Sequence, residues 1–261
     1  MRFRFSPGCM ALLFIIFSVN TYALESGNQE IEFEITQSFA SRHICEAQDS
    51  FAANDPIWET ALDVALKEIT ENTDLALGIW WGYPLKSGNV SAEEIDYAIE
   101  LSRNITDSLD LSLGYSYIDF PKANRNSDFN KLFTTLALDE IPDLPLKISP
   151  HIYAAYQFEA AAEGPEDGWY YSWGFNTEFS LPDLRIFQKD QSINLDITNW
   201  GTDGVAGIKS NSFYASEYSL STDYRLFGFT ITPSVNYVAS YDDDINEEDE
   251  FWARVDLSYS F

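Results

Sequence analysis

The chain has 261 residues, with 15 Lys and Arg against 42 Asp and Glu, a formal charge of −27. Such an excess excludes nucleic-acid binding through phosphates, which needs Lys and Arg. Aromatic residues make up 16% of the chain, which excludes disorder despite the charge. Two cysteines leave no disulfide framework and no cysteine-built metal centre.

Residues 1–23 read as an export signal. Arg2 and Arg4 give a positive start, Cys9 to Val19 a short apolar run, and Thr21-Tyr22-Ala23 a small-residue end. The run is too short for a membrane-spanning helix. Cleavage after Ala23 removes Cys9 and leaves one domain, 24–261, with Cys45 as its single cysteine, placed in a loop. No later apolar stretch approaches 18 residues, so no membrane helix is expected.

Twelve alternating segments follow, at about 29–41, 57–69, 74–85, 93–103, 108–120, 129–138, 146–158, 169–180, 192–200, 213–225, 229–241 and 251–261. Ile95, Tyr97, Ile99 and Leu101 alternate with Glu94, Asp96, Ala98 and Glu100. Trp169, Tyr171, Trp173 and Phe175 alternate with Tyr170, Ser172, Gly174 and Asn176. Period-two patterning of this kind marks strands with one apolar and one polar face. The last segment, FWARVDLSYSF, places Phe251, Ala253, Val255, Leu257, Tyr259 and Phe261 on its apolar face.

Connections alternate in length, with those after the sixth and eighth strands intermediate. They are short near Glu71-Asn72-Thr73, Thr106-Asp107 and Leu226-Phe227-Gly228. They are long and polar at Pro121 to Asp128, Ala161 to Gly168 and Asp242 to Glu250. An even strand count with one tight rim and one looped rim predicts an all-β fold, a transmembrane antiparallel up-and-down barrel of about twelve strands. A Greek-key sandwich has no reason for this asymmetry.

Charge follows the same parity. Ile31, Phe33 and Ile35, then Leu62, Val64 and Leu66, then Leu75, Leu77, Ile79 and Trp81, share the apolar face with Leu132, Leu136, Ile148, Ile152, Tyr156, Tyr218, Leu220 and Tyr224. No charged residue joins them mid-strand; Gln37, Thr60 and Asn130 are the neutral exceptions. A Lys or Arg at the lipid midplane costs about 2–4 kcal/mol, so this face suits lipid. Aromatics gather at two rims. Trp58, Tyr83, Tyr117, Phe158, Trp169, Tyr214, Tyr241 and Phe251 lie towards the long loops, and Phe33, Phe179, Tyr224, Phe229, Tyr259 and Phe261 towards the short turns, as two interfacial girdles would.

The polar face becomes the lumen. It carries Glu30, Glu32, Glu34, Glu59, Asp63, Glu94, Asp96, Glu100, Asp110, Glu178, Asp196, Glu217, Asp223 and Asp256, against Lys67, Lys131, Lys147, Arg225 and Arg254. Acid-lined pores favour cations, and low-dielectric walls focus the field. A cation-preferring channel for small solutes is therefore expected, with cross-braced charges in a closed barrel as the alternative. A catalytic reading needs a base held by a third group. Of the two histidines, His151 falls inside and His43 at a strand-to-loop junction, both as structural residues, so no enzyme and no cofactor is expected. Glu94/Asp96 is the i, i+2 spacing any polar strand face produces. The acidic loops at Glu163 to Asp167 and Asp242 to Glu250 lack the fixed positions of an EF-hand loop and read as solvated. The sequons at Asn89 and Asn104 read as coincidental.

The stretch FEITQSFASRHI and the later EIDYAIELSRNITDSLDLSLGYSYIDFP are similar to the TorF-type porins, bacterial outer-membrane β-barrels. Arg42-His43-Ile44-Cys45 departs from that family's usual step after the first strand. The resemblance implies the bacterial outer membrane as location, with its lipid and lipopolysaccharide as surroundings. It also implies that Val255, Leu257, Tyr259 and Phe261 form the signal read by the barrel-assembly machinery.

Overall fold

A computed structural model describes residues 30–49, 55–86, 93–123, 127–141, 146–160, 167–181, 191–203, 205, 212–243 and 248–261. The expected export signal at 1–23 lies outside these residues, as do most of Glu163 to Asp167, residues 244–247 of the second acidic loop, and Asn89.

Twelve long strands form the wall: β1 (Ile31–Ala40), β4 (Ile57–Thr70), β5 (Thr73–Pro84), β6 (Glu94–Thr106), β7 (Leu109–Asp119), β8 (Phe129–Leu138), β9 (Lys147–Glu159), β10 (Gly168–Ser180), β11 (Ser192–Asp203), β12 (Ser212–Ser221), β14 (Phe229–Ser240) and β15 (Glu250–Ser260). Each expected segment has its strand. The short β13 (Tyr224–Leu226) continues β12 beyond a break opposite Pro233, which has no N–H to give the ladder. Pairing is antiparallel and sequential, and β1 pairs with β15, so the sheet closes on itself. The register at that seam sets Phe39 against Val255 and Ile35 against Tyr259.

Tight turns hold one rim. Phe227 and Gly228, at φ of 53° and 86°, make the two-residue turn between Leu226 and Phe229. Positive φ at both central positions matches the twist of the flanking strands. Glu71-Asn72 joins β4 to β5, with Asn72 also left-handed. The same rim carries the longer β8–β9 and β10–β11 connections, of eight and eleven residues, and the remaining connections lie at the opposite rim.

The outer wall is apolar and uncovered. Leu77, Ile79, Ile99, Leu113, Leu132, Ile152, Leu220 and Val255 are all exposed on it, a band far larger than a soluble monomer leaves open. The three neutral exceptions to the apolar pattern, Gln37, Thr60 and Asn130, are satisfied. Trp58 Nε1 donates to Gln37 Oε1 at 2.9 Å, and Gln37 Nε2 donates to Thr60 Oγ1 at 2.9 Å. Tyr115 Oη donates to Asn130 Oδ1 at 2.7 Å. An unpaired amide here would face hydrocarbon with no water to bond it.

The two aromatic rims form as expected, with one exception. Phe33 stacks on Phe261 at 5.5 Å, and Tyr259 lies 5.7 Å from Phe261 and 5.0 Å from Phe229. Tyr214, expected in the outer girdle by parity with Tyr218 and Leu220, points inward and is fully buried. A β-bulge causes this. Trp200 pairs with Ala215 and Gly201 with Phe213, so Tyr214 is the extra residue and the alternation resets there.

A second departure from expectation lies inside the barrel. Cys45 is not in a loop. It belongs to a small hairpin, β2 (Ile44–Cys45) paired with β3 (Gln48–Asp49), folded back from the long-loop rim. Its two turn residues, Glu46 and Ala47, both hold positive φ, 51° and 57°.

Candidate functional site: the lumen

The polar parity does face inward, as contacts with the enclosed hairpin establish. Lys131 from β8 donates to Glu46 Oε1 at 2.8 Å, and Glu59 from β4 and Glu94 from β6 flank His43. Two zones divide this interior.

Towards the short turns the lumen is an acid-lined vestibule. Lys67 sits between Glu32 at 3.3 Å and Asp74 at 3.2 Å. Lys147 lies 3.9 Å from Glu178, a loose and exposed pair. Glu34 accepts from Ser260 Oγ at 2.7 Å. Thr232 Oγ1 donates to Asp223 at 2.6 Å, and Arg225 stands beside it on the lumenal side, opposite Thr230. Asp63 is level with Glu34 in the pairing register and has room because Gly78 stands next to it. A Cβ there would come within 2.8 Å of Asp63 Oδ1. Glu100 is opposite Gly114, and Asp110 faces Asp139. Asp196 accepts from Thr198 Oγ1 at 2.9 Å, and His151 Nε2 is 3.1 Å from that same hydroxyl. His151 is thus inside, as its parity predicts.

Towards the long loops the lumen is filled. His43 stacks on Trp80 at 5.4 Å, with Nδ1 3.6 Å from Glu59 and Nε2 3.8 Å from Glu94. Asp96 lies one inward step along β6 from Glu94. Arg254 reaches Glu59 at 2.7 Å, Asp256 at 2.7 Å and Ser38 at 3.0 Å. The hairpin tip lies across the lumen from there. Lys131 runs between the rings of Phe129 and Tyr170, 5.4 Å from each centroid, to reach Glu46. Tyr153 donates to the same carboxylate oxygen at 3.4 Å, and Tyr214 donates to the Glu46 carbonyl at 2.5 Å. Gln48 donates to Tyr214 Oη at 3.4 Å. Ala47 packs into a buried cluster of Tyr214, Ala215, Val238 and Trp252, with Ile44 and Trp200 against it. Trp200 Nε1 also donates to Glu217 at 3.1 Å.

The expected interior acids and bases do not share one environment. Glu59, Glu94, Asp96, Lys131, Arg254 and Asp256 surround the hairpin, Glu217 meets Trp200, and the remainder line the vestibule. Parity did not disclose Glu46 or the aromatic inner wall of Trp80, Phe133, Tyr153, Tyr170, Trp200 and Trp252. A signal was present: these large rings occupy the face otherwise given to Gly, Ala, Ser and charge. Aromatic residues on a lumenal parity need something inside to pack against. Burial pushes the Cys45 thiol well above its usual range.

No protein-family model matches the chain, and no curated protein matches it. Among solved structures, LpxR from Salmonella typhimurium superposes with a TM-score of 0.51 at 11% identity, covering 87% of this chain and 99% of that one. The NanC porin gives 0.51 at 12% identity, over 87% and 98%. A structure described as a bacterial polysaccharide outer membrane secretin gives 0.51 at 8% identity, over 88% and 98%. The TorF-type resemblance rests on the two quoted stretches alone. The chain has the closed, antiparallel twelve-stranded fold of the outer-membrane β-barrels.

Proposed function

We propose that this barrel lies in the bacterial outer membrane and passes small solutes, with a preference for cations. The acid-lined vestibule carries the reading. Glu34, Asp63, Glu100, Asp110, Asp196 and Asp223 line it on the inward parity, while Lys67 is engaged by Glu32 and Asp74 and Lys147 by Glu178. A ring of carboxylates in a low-dielectric wall lowers the energy of an entering cation and raises that of an anion. Small or neutral solutes cross by diffusion; no cofactor takes part in this reading, and the chain is not an enzyme. Both histidines support that last point, since each is engaged in lumenal packing or hydrogen bonding. Export through residues 1–23, a lipid and lipopolysaccharide surround, and recognition of Val255, Leu257, Tyr259 and Phe261 by the assembly machinery complete the proposal.

One observation favours a second reading. The hairpin touches β4, β6, β8, β9, β12 and β15, so it spans the interior, and a permanently filled barrel would be a structural or adhesive one. Reversal potential across a planar bilayer in a KCl gradient tests the first reading. Potassium preference is expected, and a potential of chloride sign overturns it.

A further inference from the structure

The lumenal hairpin is built unlike a fixed plug. Its stem is pinned at the rim: Arg42 pairs with Glu250, and His43 is held between Glu59 and Glu94 on the face of Trp80. Its tip is attached differently. Two residue pairs, Ile44 with Asp49 and Cys45 with Gln48, are all the sheet it has. A two-stranded hairpin this short has no independent stability. The turn places Glu46 and Ala47, both with a Cβ, in the left-handed region that asparagine and glycine occupy without strain.

The tip remains inside because of specific contacts with the wall. One ion pair joins Glu46 to Lys131, two tyrosine hydroxyls bond Glu46, Gln48 donates to the Tyr214 hydroxyl, and Ala47 enters the apolar cluster with Ile44 packed against it. Water can replace every polar contact in that set if the tip swings towards the rim. Lys131 need not be abandoned, since Glu94 and Asp96 on the neighbouring wall lie within its electrostatic reach. The seated and displaced arrangements thus differ by one ion pair, three hydrogen bonds to Tyr153 and Tyr214, and the burial of Ile44, Cys45 and Ala47, against a strained turn.

We infer that residues Ile44 to Gln48 form a gate in the channel proposed above, hinged at Arg42 and His43 and latched shut by the Glu46–Lys131 ion pair. Glu46 and Lys131 are positioning residues for the gate. Displacement joins the acid vestibule to the long-loop mouth, and seating divides them.

Cys45 makes the gate observable without any current. The barrel refolded from residue 24 onward holds this single thiol, on the moving element. Two variants release the latch: Glu46→Gln, and Glu46→Gln with Lys131→Met, which removes both members of the buried pair together. Heat-modifiable gel migration verifies folding of each. A third protein, with Ile44 to Asp49 replaced by two glycines, has no gate. The expected result is a rise of at least tenfold in the rate of Cys45 reaction with a water-soluble maleimide in both latch variants. Planar-bilayer recordings should show open time rising in the same order, highest in the gateless barrel. Labelling rates within twofold of wild type in both folded variants overturn the gate. Equal conductance of wild-type and gateless barrels overturns the gate while leaving the channel standing. A folded gateless barrel that carries no current overturns the channel reading and the gate with it.

Discussion

Arg254 on β15 reaches across β1 to Glu59 on β4, with 2.7 Å between Nη1 and Oε2. The same guanidinium bonds Ser38 of β1 at 3.0 Å and Asp256 of its own strand at 2.7 Å. One side chain thereby ties three adjacent strands at the seam where the barrel closes. It also neutralises a carboxylate that is only 3% exposed and that holds the hairpin stem through His43.

Replacing Arg254 with Ala leaves Glu59 dependent on His43. Removing one partner of a buried pair costs about 3–5 kcal/mol, and Arg254 is a third exposed, so about 2–3 kcal/mol is expected. Arg254→Lys keeps the charge but not the fork that serves three acceptors, and should recover part of the loss. Urea unfolding of the barrel from lipid vesicles reads both.

Adjacent residues on β6 should respond oppositely to the same substitution. Ile99 faces outward and is 44% exposed, whereas Glu100 faces the lumen. Ile99→Arg should cost about 2–4 kcal/mol on insertion into bilayers. Glu100→Arg should change stability by less than about 1 kcal/mol, because water solvates it there. Equal costs at both positions contradict the assignment of faces.

The Cys45 thiol should be nearly inert in the folded wild-type barrel. Its pKa is raised by burial, so at pH 8 the thiolate, the reactive form, is depleted below that of an ordinary cysteine. Iodoacetamide should modify it at less than about a hundredth of the rate found for the denatured chain. A rate equal to that of the denatured chain contradicts the seated hairpin.

At the long-loop rim, Asp249 accepts from Tyr237 Oη at 2.5 Å and from the Ser240 amide at 3.0 Å. These hydrogen bonds, led by that from Tyr237, hold its carboxyl below the usual range. A depressed carboxyl stabilises the fold at pH values above its unfolded pKa, and that contribution disappears as pH falls through the folded one. Asp249→Asn should therefore unfold more readily than wild type at neutral pH, with the two curves converging only once the pH has fallen below the ordinary aspartate range. A gap that persists undiminished in acid contradicts this.

Legibility from sequence followed physical period. All twelve wall strands were readable because lipid outside and water inside impose strict alternation, and Phe33, Leu77, Ile99 and Val255 obey it. Tyr214 was misplaced because a bulge adds one residue, and nothing in the local composition marks where the count slips. The hairpin was missed for a different reason. Ile44-Cys45-Glu46-Ala47-Gln48-Asp49 has no amphipathic period of its own, since its surroundings are the barrel's interior on every side. Only long-range complementarity, Glu46 with Lys131 85 residues away, defines its place. The inward Trp80, Trp200 and Trp252 were the local trace of it. The vestibule acids were legible individually, but their separation from the acids around the hairpin depended on that unseen element.

Phe261 completes the wall through two backbone bonds to Phe33, N–H to carbonyl in both directions at 2.9 Å, and through the ring stack between them. Deleting it removes the last rung of the β1–β15 seam. Refolding into vesicles should slow several-fold, while the conductance of barrels that do insert stays unchanged. Normal insertion without Phe261 contradicts a closing role for that rung.

The central claim is that this barrel conducts, and that its lumenal acids choose the ion. Wild-type protein reconstituted in a planar bilayer under a tenfold KCl gradient tests both together. The account predicts stepwise currents whose reversal potential has the sign of potassium preference, reduced when Asp63 and Glu100 are replaced by Asn and Gln. Reversal at the chloride sign, or silence from both the wild-type and the gateless barrel, contradicts it.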